Sequence, residues 1–402
     1  MREGEVHGRG PGLDLRVTAK SRRGGRYLAI MAAAFPLAGL AGCHRAAAPA
    51  RPPRAEVRAV WLNPWAFNSP ETRAATLGRI RRAHLNTVFL QTPAVAGNYG
   101  IDWGGASPQN YATFLKELKE AGIAIHGWII NRERRGEGTQ ADFTSADERK
   151  AQRDWALAVL AAFPGLDGIH FDYIRYGDWA SHDTAKAAGV TETVRLTAEA
   201  IRAKCPGRNL TAAVFTAASP SYMGQAGGGK RTWADPAPDW FVKWLDRNPR
   251  NWYAARARKD PKLKPNWLLG PSFFKYQQDP VSWLETGAID AVCPMQYTGD
   301  EATWKAEVDL WKSFRGGHLD GIVMGLGWLK EKEHPDWDLD PAALVRFVRY
   351  GRSRGLAGFS IFSFGDPAAD DDLLVKALAE PCPANGGDPP FRYPVPAQLS
   401  VR

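Results

Sequence analysis

Between Glu56 and Ala379 the sequence alternates eight times between a short, almost wholly apolar run and a longer amphipathic stretch. The apolar runs are Val57–Leu62, Thr87–Gln91, Ala124–Ile130, Gly168–Phe171, Leu210–Phe215, Ile289–Pro294, Gly321–Met324 and Gly358–Phe362. Runs this short and this continuously apolar suit parallel strands buried on both faces. The stretches between them carry helix signals. Ser69-Pro70-Glu71 supplies a cap, a proline at the first helical position and an early acid. Further helices are expected over 111–121, 145–163, 191–204, 280–286, 301–314, 341–354 and 370–379, several of them ending at glycine. Strand then helix, eight times over, predicts a (β/α)₈ TIM barrel rather than an open doubly wound sheet. No GxGxxG or GxxxxGK[ST] follows any of the strands, so nucleotide binding has no support.

One segment breaks the rhythm. Residues 217–278 hold Gly227-Gly228-Gly229, several prolines and a run of aromatics that includes Trp233, Trp240, Trp244, Trp252 and Trp267. The chain is therefore expected to be a barrel over 55–380 with a long aromatic-rich insertion after the fifth strand. Loops after barrel strands lie on the face where barrel sites are built. An irregular tail is expected over 381–402.

The start of the sequence reads as an address. Arg22, Arg23 and Arg26 precede an apolar run from Tyr27 to Ala41, which ends in Leu40-Ala41-Gly42-Cys43. A basic patch, a short apolar stretch and small residues before a cleavage point mark an export signal. The tetrad resembles the bacterial lipobox, in which the cysteine becomes lipidated. Residues 1–42 are thus expected to be removed, with Cys43 as the lipid anchor and 43–54, rich in Ala, Pro and Arg, as a tether. His44 beside the anchor is compatible with outer-membrane sorting, on the periplasmic side. The other reading is an uncleaved membrane anchor, for which the run is short against the roughly 20 apolar residues a span requires.

The formal charge of +9 overstates the basicity of the exported chain. Residues 1–42 hold seven basic and three acidic residues, which leaves about +5 from Cys43 onward. That is mild and spread along the sequence, and it is no nucleic-acid footprint. There is no CxxC, no His/Cys cluster and no HExxH, so neither a metal nor another cofactor is called for. Cys205 and Cys382 each precede a proline near a helix end and are open to pairing, whereas Cys293 lies in an apolar strand.

The sharpest local feature is Asp167-Gly168-Ile169-His170-Phe171-Asp172-Tyr173-Ile174-Arg175-Tyr176. An apolar strand ends in Asp172 and delivers Tyr173, Arg175 and Tyr176 into the following loop. A carboxylate at the C-terminal tip of a barrel strand reads as catalytic; the plainer alternative is a loop cap or an ion pair with Arg175. Aromatics gather at other strand ends: Trp61, Trp65, Trp128, Tyr297 and Trp328. Flat rings of this kind can stack on sugar faces. Gln91, Asn131 and Gln296, also at strand ends, could hydrogen-bond hydroxyls.

At these residues the sequence resembles the glycosyl-hydrolase-like 10 family of bacterial envelope proteins. The resemblance is carried by Glu56–Trp61, by GIHFDYIRY at 168–176, by WLETGAID at 283–290 leading to Pro294-Met295-Gln296-Tyr297, and by GFSIFS at 358–363. It implies a TIM-barrel glycoside hydrolase acting on bacterial glycans, with peptidoglycan strands as the leading candidate and Asp172 as a core carboxylate. Many members carry two successive carboxylates at the fourth strand, where this sequence has Asp172 followed by Tyr173.

Most glycosidases need two carboxylates. For a partner to Asp172 the candidates are Glu133, Asp300 and, ranked below them, Asp366; each is as well explained by capping or an ion pair. Three readings follow. The first is a hydrolase of an envelope polysaccharide, the second a non-catalytic glycan-binding lipoprotein on a degenerate barrel, and the third a scaffold that uses the aromatic insertion as a partner surface.

Overall fold

A computed structural model describes residues 56–93, 107–131, 140–176, 183–217, 276–328, 339–364 and 371–379. The expected signal over 1–42 with Cys43, the tether and the tail fall outside these residues, as do Glu133, Asp366, Cys382 and most of the insertion.

Eight strands, β1 (Val57–Leu62), β2 (Thr87–Gln91), β3 (Ala124–Ile130), β4 (Gly168–Asp172), β5 (Asn209–Val214), β6 (Ala291–Pro294), β7 (Val323–Gly327) and β8 (Gly358–Phe364), form one sheet. Its order is β6-β5-β4-β3-β2-β1-β8-β7, and every pairing is parallel. A single bridge, Val292 to Ile322, joins the two ends and closes the ring. Between the strands lie α1 (Pro70–Arg82), α2 (Pro108–Glu120), α3 (Ala146–Ala162), α4 (Thr184–Lys204), α5 (Pro280–Glu285), α6 (Glu301–Phe314), α7 (Pro341–Arg354) and α8 (Asp371–Ala379). The fold is a (β/α)₈ barrel, as the alternation predicts.

Helix starts are fixed by side chains. Each of α1 to α7 begins on a Ser or Asp whose oxygen accepts a first-turn backbone N–H: Ser69, Ser107, Ser145, Asp183, Asp279, Asp300 and Asp340. Such caps satisfy donors that the helix itself leaves orphaned. Since each helix follows a strand, these caps lie toward the C-terminal face of the ring. α4 begins seven residues before the expected Thr191, because Asp183 caps it through Ala185 and Lys186.

Alternate residues of each strand face opposite ways. The outward set packs against the helices in one large core that includes Val60, Leu90, Ile169, Val292 and Ile361. The inward set fills the ring with Ala59, Trp61, Phe89, Trp128, Ala213, Cys293 and Val323. Arg58, outward on β1 and only 2% exposed, is paired with Glu56 at 2.8 Å, and Glu56 also takes two bonds from Arg352 of α7. Asp167, the first residue of the fourth-strand motif, lies at the opposite end of that strand from Asp172. It accepts the Ile125 N–H and pairs with Lys119 at 2.8 Å, so its work is structural. Cys205 carries a free thiol. Among the described residues no helix is long and apolar enough to cross a membrane.

Strand packing leaves Gly168, Gly325 and above all Gly358 no room to grow. A Cβ on Gly358 would sit 2.1 Å from the Val57 carbonyl oxygen, whereas one on Gly78 in α1 would meet nothing within 4 Å. Gly358→Ala is therefore expected to destabilise the barrel by about 1–3 kcal/mol, as overpacking does. Gly78→Ala should stabilise it by roughly 0.5–1 kcal/mol through helix propensity. Urea unfolding of both variants checks the opposite signs.

Candidate active site

At the mouth of the ring, Trp61, Gln91, Trp128 and Asp172 share the inward parity of their strands. Among the described residues Asp172 is the only carboxylate at an inward strand position. It is 7% exposed. Oδ1 accepts the Tyr173 backbone N–H at 2.7 Å and one Arg175 N–H at 3.4 Å, while Oδ2 accepts the Trp128 indole N–H at 3.3 Å. Burial pushes its pKa above the ordinary value. The Arg175 charge and the three donors pull the other way and are outweighed, so the shift is toward the proton-bearing form.

The loop beyond Asp172 is bent to serve it. Tyr173 has φ of 56°, a left-handed conformation unusual for an aromatic residue. Arg175 lies back over the Tyr173 ring, with its guanidinium carbon 3.9 Å from the ring centre, and 4.6 Å from the centre of the Phe215 ring. Phe215 stacks in turn on Tyr276, 3.5 Å away and nearly parallel. Gln278 locks the arrangement: its carbonyl accepts the Phe215 N–H, and its amide donates to the Ile174 carbonyl. Phe215, Tyr276 and Gln278 were not legible as site residues, because 61 residues separate Phe215 from Tyr276.

Below the mouth runs a buried polar spine. The Trp61 indole N–H donates to His170 Nε2 at 3.1 Å. His170 must then carry its proton on Nδ1, which donates to the Thr211 hydroxyl at 2.9 Å. His126 Nδ1 lies 3.0 Å from the same hydroxyl, and its Nε2 has no partner. Burial lowers both imidazoles, His126 to about 4 and His170 well below its usual value, so both are neutral. Phe89 stacks on His170 at 3.8 Å. The histidines support the floor of the site, as expected of strand histidines.

The other expected residues divide. Trp65 is 45% exposed on the turn Pro64–Ala66 after β1, and the Tyr297 ring lies parallel to Phe362 at 5.6 Å. Gln91 and Gln296 are buried near the tips of β2 and β6. Asn131 turns outward: its amide donates to Gln152 of α3, which donates to Glu148, and it is fully buried. Tyr176 is also spoken for, since its hydroxyl donates to Asp142 at 2.8 Å and accepts the Thr144 N–H. Trp328 belongs to the outward core between ring and helices. The contacts that Asn131, Tyr176 and Trp328 make are thus with the surrounding scaffold. Asp300 caps α6 through Thr303 at 2.7 Å, which holds its carboxyl below the usual range. A buried acid that sequence reading passed over, Glu307 of α6, accepts the Ala217 N–H just past β5 and the Trp311 indole N–H.

Comparison with known proteins bears on the fold. No protein-family model and no curated relative matches the sequence. Among solved structures the chain is similar to the C-terminal domain of a protein designated a chitinase from Desulfitobacterium hafniense DCB-2, with a TM-score of 0.50 and 14% identity over 81% of this chain and 99% of that one. It is similar also to a mutant GH18 chitinase from Cycas revoluta in complex with (GlcNAc)4, with a TM-score of 0.50 and 12% identity over 80% of this chain and 98% of that one. The TIM-barrel fold is shared with both.

A raised carboxyl pKa has a consequence for stability. Folding favours the protonated form, so the burial cost is absent below the unfolded pKa and grows as pH rises through the folded one. Asp172→Asn, which cannot ionise, should melt above the native protein at pH 7.5, by on the order of 2 °C. The difference should close below about pH 4. Calorimetry across pH reads it; a native protein that melts higher at pH 7.5 would mean that Arg175 and the N–H donors outweigh burial at Asp172.

Proposed function

We propose that the protein is a glycoside hydrolase of a cell-envelope polysaccharide, with Asp172 as general acid. The observation that carries this reading is Asp172 itself, a carboxyl buried at a barrel strand tip, held by three donors and biased toward its protonated form. A glycosidic oxygen needs a proton as it leaves, and a raised carboxyl pKa keeps that proton available to a higher pH than an ordinary carboxyl would. Trp128 and the Tyr173 N–H fix the orientation of the carboxyl, while Trp65 and Tyr297 offer flat surfaces at the mouth. Trp61 and Gln91 shape the inner wall of the ring.

The second carboxylate, or a substrate N-acetyl group acting in its place, completes the reaction. Asp300 is a poor choice, since its oxygens serve α6, and we assign the role to Glu133 ahead of Asp366. Peptidoglycan glycan strands are the first substrate to try. The same barrel in the Cycas revoluta chitinase holds (GlcNAc)4, and the motifs at 56–61, 168–176, 283–297 and 358–363 support membership of the glycosyl-hydrolase-like 10 family. Cys43 places the enzyme on a lipid anchor in the envelope, at the outer membrane facing the periplasm.

A second reading has one observation in its favour: no other carboxylate among the described residues stands at an inward strand position. A glycan-binding protein without turnover would need none.

The test is release of short glycans from purified peptidoglycan, intact and stripped of stem peptides, by residues 45–402. The native form should release product and Asp172→Asn should lose about 10²–10⁴-fold in rate. Binding without release by either form would favour the second reading. The rate of the native enzyme should fall as pH rises through the Asp172 pKa, because the acid form is the active one. Trp65→Ala should raise KM several-fold, equivalent to roughly 1 kcal/mol of stacking, and leave kcat unchanged.

A further inference from the structure

Arg175 has more donors than partners. A guanidinium carries five N–H groups in a fixed fork. Here one of them reaches Asp172, at 3.4 Å, a long single contact rather than the paired bonds that Arg and carboxylate usually make. The side chain is 9% exposed, and among the described residues its remaining donors have no hydrogen-bond partner. No other described carboxylate pairs with it. The Tyr173 and Phe215 rings both lie against it, their centres 3.9 and 4.6 Å from the guanidinium carbon. The backbone beneath is pinned as well, with the Arg175 N–H bonded to the Tyr173 carbonyl at 2.7 Å and the Gln140 amide on the Arg175 carbonyl. With two rings against it and one contact made through its donors, the group keeps a fork of parallel N–H donors to offer, the complement of a planar carboxylate.

The chemistry at Asp172 sharpens the need. When Asp172 carries the proton it is to deliver, Arg175 loses its one anionic neighbour. A buried cation without a counter-charge is costly, and a substrate anion beside it removes that cost. We propose that Arg175 receives a carboxylate of the substrate, so that the glycan this barrel takes is an acidic one: a sugar bearing a carboxyl group next to the bond that is cleaved. This rests on the glycan reading of the Asp172 site. Two sources share the chemistry, a hexuronate and a lactyl-ether amino sugar.

Titration calorimetry on the full chain in detergent separates the possibilities. The probes are an oligogalacturonate and glycan strands of peptidoglycan stripped of stem peptides, each beside its carboxyl-reduced form. Reduction of the carboxyl should weaken binding of one charged glycan by about tenfold, as expected for one charged hydrogen-bonded contact. Which glycan shows the loss names the source. Arg175→Gln should bind charged and reduced forms alike; Arg175→Lys, which keeps charge but not fork, should fall between. Above the Asp172 pKa, where the native carboxylate competes for Arg175, Asp172→Asn removes that rival and should tighten the charged form alone, a result that does not require altering Arg175. Equal affinity of the native protein for charged and reduced glycans would overturn the proposal and leave the glycan reading standing. No affinity for any of the four would overturn both.

Discussion

A closed ring of eight strands has an inside, and that inside must be filled. Everything at the mouth of this barrel depends on how the filling is done. Trp61, Phe89 and Trp128 occupy the ring with large rings, and His126, His170 and Thr211 thread a hydrogen-bonded line between them. Because the histidines are neutral, the line stabilises the interior without placing charge there. Asp172 stands two residues beyond His170 on the same strand, on top of this packed floor. Its burial is a direct result, since the floor leaves no solvent beneath it and Trp128 covers one side.

Two forces then compete at that carboxyl. Loss of water favours the neutral acid, while Arg175 and the N–H groups of Tyr173 and Trp128 favour the anion. The protein has not resolved the contest by bringing Arg175 close. The left-handed turn at Tyr173 and the Phe215 stack hold the guanidinium at 3.4 Å. A paired, close contact would lock the anion and end any use of the group as an acid. Distance here sets chemistry, and it is the backbone of residues 173–176 that sets distance.

The ring was legible in the sequence because its signal is periodic. The expected bounds of β1, β2 and β3 coincide with those observed, as do those of α6 and α7. β6 begins two residues later than expected, because Ile289 and Asp290 belong to the approach: the Asp290 carboxylate accepts the Leu210 N–H instead. Asp172 was legible too, as the end of an apolar run. What the pattern did not convey was the direction of each tip. Asn131 and Trp328 lie at strand ends just as Trp128 and Gln91 do, yet each falls on the outward side. Parity along β3 held the answer for Asn131, since Trp128 faces inward and three residues on is the opposite face. For Tyr176 no local signal existed; its hydroxyl is claimed by Asp142, 34 residues earlier. Asp300 carried a signal that was read both ways, and the cap position immediately before Glu301 is where its oxygens went.

The ring is not equally strong all the way round. β7 and β8 pair through five residues, and β1 with β2 through four. Between β6 and β7 there is the Val292 to Ile322 bridge and a Val292 N–H on the Gly321 carbonyl. Mechanically the barrel is a band with a clasp. Thermal motion that parts the wall will part it there, at the joint between β6 and β7, and leave an open sheet in which β1 still holds β8 through five residue pairs.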